Sequence, residues 1–365
     1  MAETMRPRVI YGFGEVMIRL SPVGQQTFGE SNTIQLTAGG SEANVLAKLG
    51  SFSRLFQGEL VTAINDDLAG RAIVSELQKH RVGLRGVRWT RNGRNGLYYL
   101  EQGMGPIVAR VDYDRAGSAI ALLEPDESLF TGLSKASALF ISGITPALSA
   151  NCAKNTEYAL RKAQELRVPV FFDVNYRKKL WSAAEARARL DSFLRDGCIT
   201  CLITTETDAR TVFGIDCGVD DESPIEILIE RSRKVLEALK KLYSDKCELY
   251  VLTIRKRITN ETGVWTSAAL LPDGSYIVGD VFDYVVLDRP GAGDACSAGL
   301  VAGYLGIQRD GSLKDGVDLS TRVKMGLDLG NRAAIVAQKT FGDLGPAWDA
   351  AMYFDRVSES KEIAR

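Results

Sequence analysis

Two kinds of segment alternate along this chain. Short apolar runs bounded by turn residues predict buried strands at Val9–Gly14, Leu139–Ser142, Val168–Val174, Cys198–Thr204 and Tyr250–Ile254. Between them, longer mixed segments predict helices at Glu42–Leu49, Leu68–Lys79, Cys152–Leu166, Ala184–Arg195, Pro224–Leu242, Asp294–Leu305 and Arg322–Gln338. The helix at 224 is expected to open on Ser223-Pro-Ile-Glu226, a capping box with proline in its first position. Alternation of this kind predicts an α/β fold, a mainly parallel sheet with helices on both faces. Such sheets bind ligands at the carboxyl ends of their strands.

Two regions break the rhythm. Gly14–Thr37 and Val87–Arg115 hold short strands with little helix between them: Val16–Leu20, Thr33–Leu36, Gly96–Leu100 and Val108–Tyr113. They are expected to pair into a small antiparallel sheet that closes over a site as a discontinuous lid. No internal repeat or low-complexity linker divides the 365 residues, so a single domain is expected.

Composition narrows the chemistry. The net charge of −1 offers no strong field for nucleic acid or a membrane surface. No apolar run reaches the roughly 18 residues of a membrane span. Met1 to Arg8 lacks a signal peptide's apolar centre, so a cytoplasmic location is expected. Six cysteines, at 152, 198, 201, 217, 247 and 296, are too sparse for a disulfide framework. Cys198 and Cys201 form one CxxC with no second pair at finger spacing, so they read as small residues of a buried strand. The single histidine, His80, sits at an expected helix end. Histidine-based hydrolysis and multi-histidine zinc sites are thereby disfavoured. The chemistry should rest on carboxylates, cations and backbone dipoles.

The segment Asp288-Arg-Pro-Gly-Ala-Gly-Asp294 supplies those groups. A strand, a glycine turn and a helix start place the N–H groups of Gly291, Ala292 and Gly293 where they can hold a phosphate. Asp294 would repel a phosphate that was merely bound. It makes sense as a base that takes a proton from a hydroxyl while the amides hold the group being attacked.

Other segments have two readings each. Thr37-Ala-Gly-Gly-Ser-Glu-Ala-Asn44 is either a second ligand turn, with Asn44 binding hydroxyls, or a helix cap on Ser41 with tight glycine packing. Tyr113 and Arg115 share one strand face near Tyr98, which suits a ligand carboxylate or a solvated sheet face. Asp173, Asn175 and Arg177 end a strand, as site residues or as a loop with Asx turns. Gly12-Phe-Gly14 lacks the third glycine of a dinucleotide fingerprint, and no P-loop is present.

The order of these motifs resembles the ribokinase-like (PfkB) carbohydrate kinases over about residues 9 to 346. The resemblance rests chiefly on Gly291-Ala-Gly-Asp294 after Asp288, and on Gly39-Gly40 with Asn44. Within that family the chain is similar to the 2-keto-3-deoxygluconate kinases. The strings that carry this are Gly12-Phe-Gly-Glu-Val-Met-Ile-Arg-Leu-Ser-Pro22, Gly96-Leu-Tyr-Tyr-Leu-Glu101, Tyr113-Asp-Arg-Ala-Gly-Ser-Ala119, Ser142-Gly-Ile-Thr145 and Asp173-Val-Asn-Tyr-Arg177. The resemblance implies a ribokinase-like three-layer fold with a β lid. It also implies ATP- and Mg²⁺-dependent phosphorylation of a primary hydroxyl on an acidic keto-deoxy sugar.

By the same resemblance, Asp294 is the catalytic base and Gly291, Ala292 and Gly293 form the anion hole. Gly40, Asn44, Tyr98, Tyr113, Arg115, Ile144 and Arg177 contact the sugar. Asn175, Thr253, Arg255, Gly293, Asn331 and Ala334 serve the nucleotide. The chain departs from the family at three places. The Asn-x-x-Glu metal element reads Thr205-x-x-Asp208, with Asp208 left to order Mg²⁺ through water. The loop after Thr253, often glycine-rich, reads Ile254-Arg-Lys-Arg257, and Arg289-Pro290 replaces a small polar pair. A neutral sugar or a nucleoside as substrate, or sugar binding without turnover, are the competing readings. An exposed lid edge invites pairing, so a homo-oligomer, a dimer or higher, is expected.

Overall fold

The structure, a computed structural model, describes residues 7–24, 26–103, 105–216, 218 and 223–357. Met1 to Arg6 and Cys217 lie outside the described residues. The strands are β1 Arg8–Phe13, β2 Met17–Pro22, β3 Ile34–Gly39, β4 Phe56–Asn65, β5 Gly83–Thr90, β6 Leu97–Glu101, β7 Arg110–Asp114, β8 Ala138–Ser142, β9 Val170–Asp173, β10 Cys201–Thr205, β11 Leu249–Arg257, β12 Thr262–Leu270, β13 Tyr276–Val278 and β14 Phe282–Val285. The helices are α1 Ser41–Phe52, α2 Leu68–Lys79, α3 Ile144–Ala147, α4 Ala150–Glu165, α5 Ala183–Arg195, α6 Glu206–Phe213, α7 Ile225–Tyr243, α8 Ala292–Tyr304, α9 Leu319–Gln338 and α10 Ala350–Arg356.

The main sheet has the order β13-β12-β11-β10-β9-β8-β1-β4-β5, with β14 paired to β12. From β11 to β5 every pairing is parallel, and the pairings of β12 are antiparallel. Period-two alternation explains the two helical layers. Ile10, Phe140, Phe171 and Val251 point to one face and pack with residues of α1, α8 and α9. Phe13, Ile141, Phe172 and Leu252 point to the other and pack with residues of α4, α5 and α7. Strands buried on both faces read as continuous apolar runs, which is why β8 and β9 were legible.

The second sheet has the order β3-β2-β6-β7. Its outer pairings are antiparallel as expected, and the central pairing of β2 with β6 is parallel. Val87 to Thr90, expected in this sheet, belong to β5 of the main one, where Val87 pairs with Thr62. The capping box at Ser223 does not form. Pro224 is the cap residue of α7 and no side chain caps that end. Cys198 precedes β10 and only Cys201 lies in it. Both are buried free thiols, as are Cys152, Cys247 and Cys296.

α8 is built of small residues because it crosses α9 at very close range. A Cβ on Gly299 would lie 2.3 Å from the Cα of Gly330, so only glycine fits there. This contact fixes the helix whose first turn carries Asp294. Among the described residues no helix is long and apolar enough to cross a membrane.

Candidate active site

The carboxyl ends of β1, β8, β9, β10 and β11 open onto two adjoining cavities. The larger, about 520 Å³, lies over β9, β10 and β11, with Thr253, Arg255, Asp208 and the Gly291–Gly293 turn in its wall. The smaller, about 250 Å³, is roofed by the second sheet and holds Gly40, Asn44, Tyr98, Tyr113, Arg115 and Ile144. Asn175, Arg177, Arg289, Gly291 and Asp294 line both. All the sequence-predicted site groups but Asn331 and Ala334 therefore assemble into two chambers with Asp294 at their junction.

Two helix N-termini meet at that junction. Gly291 caps α8 with φ 88°, and a Cβ there would strike the Asp343 carbonyl oxygen at 2.4 Å. The first ladder bond of α8 runs from Ala295 N–H to the Gly291 carbonyl, so the N–H groups of Ala292 and Gly293 precede the ladder. Opposite, α1 presents Ser41 and Asn44. Ser41 Oγ donates to Asp294 Oδ1 at 2.8 Å, and Asn44 Nδ2 donates to Oδ2 at 2.7 Å. Ser41 and Asn44 thus fix both oxygens of the carboxylate, a role that neither the hydroxyl-binding nor the helix-cap reading anticipated. Gly40 is glycine because a Cβ would lie 2.0 Å from the Glu15 carbonyl oxygen.

Burial raises the Asp294 carboxyl above its ordinary range, and the bonds from Asn44 and Ser41 and the charge of Arg177 oppose it. A raised carboxyl is a stronger base once ionised. Asp173 is pushed well up by burial and by its neighbours Asp208 and Asp294. Burial also raises Asp208, with Arg177 opposing. Asn175 takes φ 39°, a left-handed backbone that asparagine tolerates, and its Nδ2 lies 3.4 Å from Ser41 Oγ. Its side chain therefore joins the group around Asp294. Thr205 caps α6 by accepting from Asp208 N–H at 3.1 Å, which explains a threonine at this position.

The smaller chamber contains groups that the sequence did not single out. Arg115 directs Nε at 2.7 Å, and Nη2, onto Glu15 Oε2. It is a paired cation rather than a free one, and it also lies over the Tyr113 ring, which stacks on Tyr98. Tyr98 donates to Asp343 Oδ2 at 2.5 Å, and Arg19 joins Asp343 at 3.0 Å and Asp288 at 2.7 Å. Asp288 also accepts from Gln102 Nε2 and from Gly342 N–H. One buried network thus links the second sheet to the turn before α8. Asp343 is missed in sequence because it stands in an irregular loop after α9. Burial lifts it to about 6 in spite of Arg19. Glu42 accepts from Ser142 N–H, Ser142 Oγ and Thr145 Oγ1, and burial lifts it to about 7.

Two expected nucleotide residues are elsewhere. Asn331 is fully buried and lines neither chamber. Its Oδ1 accepts from Ser267 Oγ at 2.7 Å and Trp265 Nε1 at 3.2 Å, and its Nδ2 donates to the Asp280 carbonyl. It fastens β12 to α9 and has no polar atom to spare for a ligand. Ala334 is likewise buried, packed with Trp265 and Cys296. His80 caps the C-terminus of α2 and lines neither chamber.

Comparison with known proteins places this geometry. Residues 10–340 match the pfkB family of carbohydrate kinases. A 2-dehydro-3-deoxygalactonokinase of Haloferax volcanii is 37% identical over 205 residues, which span 56% of this chain and 63% of that protein. A 2-dehydro-3-deoxygluconokinase of Thermoproteus tenax is 28% identical over 81% of this chain and 82% of its own. The crystal structure of a 2-dehydro-3-deoxygluconokinase from Thermotoga maritima superposes with a TM-score of 0.83 at 26% identity, covering 97% of this chain and 99% of that one.

Proposed function

This chain belongs to the pfkB family of carbohydrate kinases, and from that premise we propose that it transfers the terminal phosphoryl group of ATP to a primary hydroxyl of an acidic keto-deoxy sugar, 2-keto-3-deoxygluconate. The observation that carries this reading is the junction of the two chambers at Asp294, one lined by the anion turn and the other by Arg115 and Tyr98. The names of the relatives from Haloferax, Thermoproteus and Thermotoga support the substrate class.

In this mechanism the sugar lies in the smaller chamber with its terminal hydroxyl toward Asp294. Ser41 and Asn44 hold the carboxylate so that one oxygen receives the hydroxyl proton. The N–H groups at Gly291–Gly293 stabilise charge on the transferring group. One edge of Arg115, Nε with Nη2, faces Glu15, so the substrate carboxylate meets its Nη1 side and Arg177. Tyr98 and Tyr113 form the wall beneath the second sheet, which acts as the lid and excludes water. Thr253 and Arg255 line the nucleotide side.

Mg²⁺ fits this site through Asp208. Its carboxylate is about nine-tenths buried in the wall of the larger chamber, and among the described residues no cluster of three or more acidic, His or Cys side chains could hold a metal alone. One carboxylate, water and phosphate oxygens are the donor set that Mg²⁺ prefers, and it would supply charge neutralisation there. A cytoplasmic location and an oligomer formed through the lid edge belong to the same proposal.

The test is ATP consumption with 2-keto-3-deoxygluconate, its galactonate epimer, fructose and ribose. The acidic sugars are expected to lead in kcat/KM. A higher value for fructose or ribose would overturn the substrate assignment. Retention of near-normal turnover by Asp294→Asn would overturn the base assignment.

A further inference from the structure

The larger chamber sets the guanidinium groups of Arg177, Arg255 and Arg289 among the carboxylates of Asp173, Glu206, Asp208 and Asp294. Arg255 and Arg257 stand two residues apart on β11 and so share a face. Arg289 faces them from the turn before α8. Burial lowers the pKa of Arg289, and the charges of Arg255 and Arg257 lower it further. Arg289 Nη2 donates to the Asn260 carbonyl, a neutral partner. Among the described residues, none of the ion pairs includes Arg255, Arg257 or Arg289. Arg255 and Arg289 share the chamber wall, with Arg257 behind them, and their like charges suit a multiply charged anion.

Arg289 differs from the other two in position. It lines both chambers, whereas Arg255 lines only the larger one. Its base is pinned on both sides. Asp288 is fully buried and bound by Arg19 at 2.7 Å, Gln102 at 2.8 Å and Gly342 N–H at 2.9 Å. Pro290 restricts the backbone on the other side. Any movement of the guanidinium is therefore a swing of the side chain alone. Leaving the Asn260 carbonyl for a charged acceptor exchanges a neutral hydrogen bond for a charge-assisted one, which is the stronger kind.

We infer that Arg289 is a catalytic residue, swinging from Asn260 to bridge the oxygens of the transferring phosphoryl group across the chamber boundary, while Arg255, backed by Arg257, holds the remaining phosphates. This rests on the kinase reading above. The bond from the terminal phosphorus to the bridging oxygen breaks, and its electron pair stays on the ADP oxygen. A bond forms from the sugar oxygen to phosphorus, and the hydroxyl proton passes to Asp294. Charge in the transition state spreads over the phosphoryl oxygens, where a planar two-pronged cation is most effective.

The experiment compares Arg289→Ala, Arg289→Lys and Arg255→Ala with the unmodified protein, using thermal melts to confirm folding. Calorimetry measures the Kd of ADP alone, then with aluminium fluoride and 2-keto-3-deoxygluconate, a mimic of the transition state. Arg289→Ala should keep ADP affinity within about threefold. It should lose about 10²-fold of the tightening seen with the mimic, and kcat should fall by about 10²–10³-fold. Arg289→Lys should recover less than about tenfold of kcat, because a point charge cannot bridge two oxygens. Arg255→Ala should weaken ADP itself. The inference is overturned if tightening and kcat both survive Arg289→Ala within about threefold, or if ADP affinity falls in step with kcat. Should the unmodified protein not turn over the acidic sugar, the substrate reading fails separately. The same comparison is then made with whichever sugar drives ATP consumption.

Discussion

Replacing Arg19 by Met tests the buried network that joins the second sheet to the turn before α8. Arg19 is 3% exposed and serves two carboxylates, Asp288 at 2.7 Å and Asp343 at 3.0 Å. Breaking a buried pair by removing one partner costs about 3–5 kcal/mol. Here the loss is graded by pH. Asp288 keeps Gln102 and Gly342 N–H as donors, so its share stays nearer about 2 kcal/mol. Asp343, already lifted to about 6, loses the charge that holds it down and keeps its proton to higher pH in the variant. A carboxyl raised on folding contributes stability that is complete below its unfolded pKa and lost as pH rises through its folded pKa. In the unmodified protein that loss is over soon above pH 6. In the variant it continues upward, adding about 1.4 kcal/mol to the deficit for each unit of further rise. Urea unfolding at pH 5 and pH 8 should therefore give a deficit of about 2 kcal/mol at pH 5 that grows to about 4 kcal/mol at pH 8. A deficit below about 1 kcal/mol at both values, or an equal one at both, would refute the reasoning.

Two further results are expected. Asn44→Ala removes a donor that lowers the Asp294 pKa, so the acid limb of the kcat–pH profile should move to higher pH, with about a tenfold loss at the acid end and less at pH 8. An unshifted limb would show that Asp294 is not the titrating group. Glu42→Gln replaces a carboxyl lifted to about 7, whose contribution to stability is complete below about 4.5 and lost as pH rises through 7. The melting temperature of the variant relative to the unmodified protein should therefore rise between pH 5 and pH 8, and a constant difference would contradict the assignment.

Legibility in the sequence followed the distance over which each decision is made. α2 was bounded correctly at Leu68–Lys79 because its start is local: Asp67 accepts from Gly70 N–H. The glycine turn and the place of Asp294 in the cavity wall were legible because strand, glycines and carboxylate are consecutive. β4 and β12 were missed because Gly58, Glu59 and the small residues of β12 interrupt their apolar runs, and only neighbouring strands supply the missing burial. Asp294 meets Ser41 and Asn44 across some 250 positions, so no spacing rule connects them. Asn331 misled in the opposite direction. An amide near a site resembles a ligand group until Trp265, Ser267 and Asp280 are seen to occupy its polar atoms. Arg115 likewise looked like a free clamp while Glu15, a hundred residues away, was out of view.

The buried thiols give the fold a built-in clock. Cys296 lies two residues beyond Asp294, closed in by Trp265, Phe282 and Ala334. Burial pushes it up to about 12, so almost no thiolate exists at neutral pH while the helix is seated. A thiol reagent can therefore modify it only when α8 parts from this packing on β12, β14 and α9, and the rate of modification counts those openings. Cys201 lies in β10 of the main sheet and is equally enclosed. If both thiols react at one rate, α8 opens only with the whole sheet. If Cys296 reacts first, the helix that carries Asp294 has a freedom of its own.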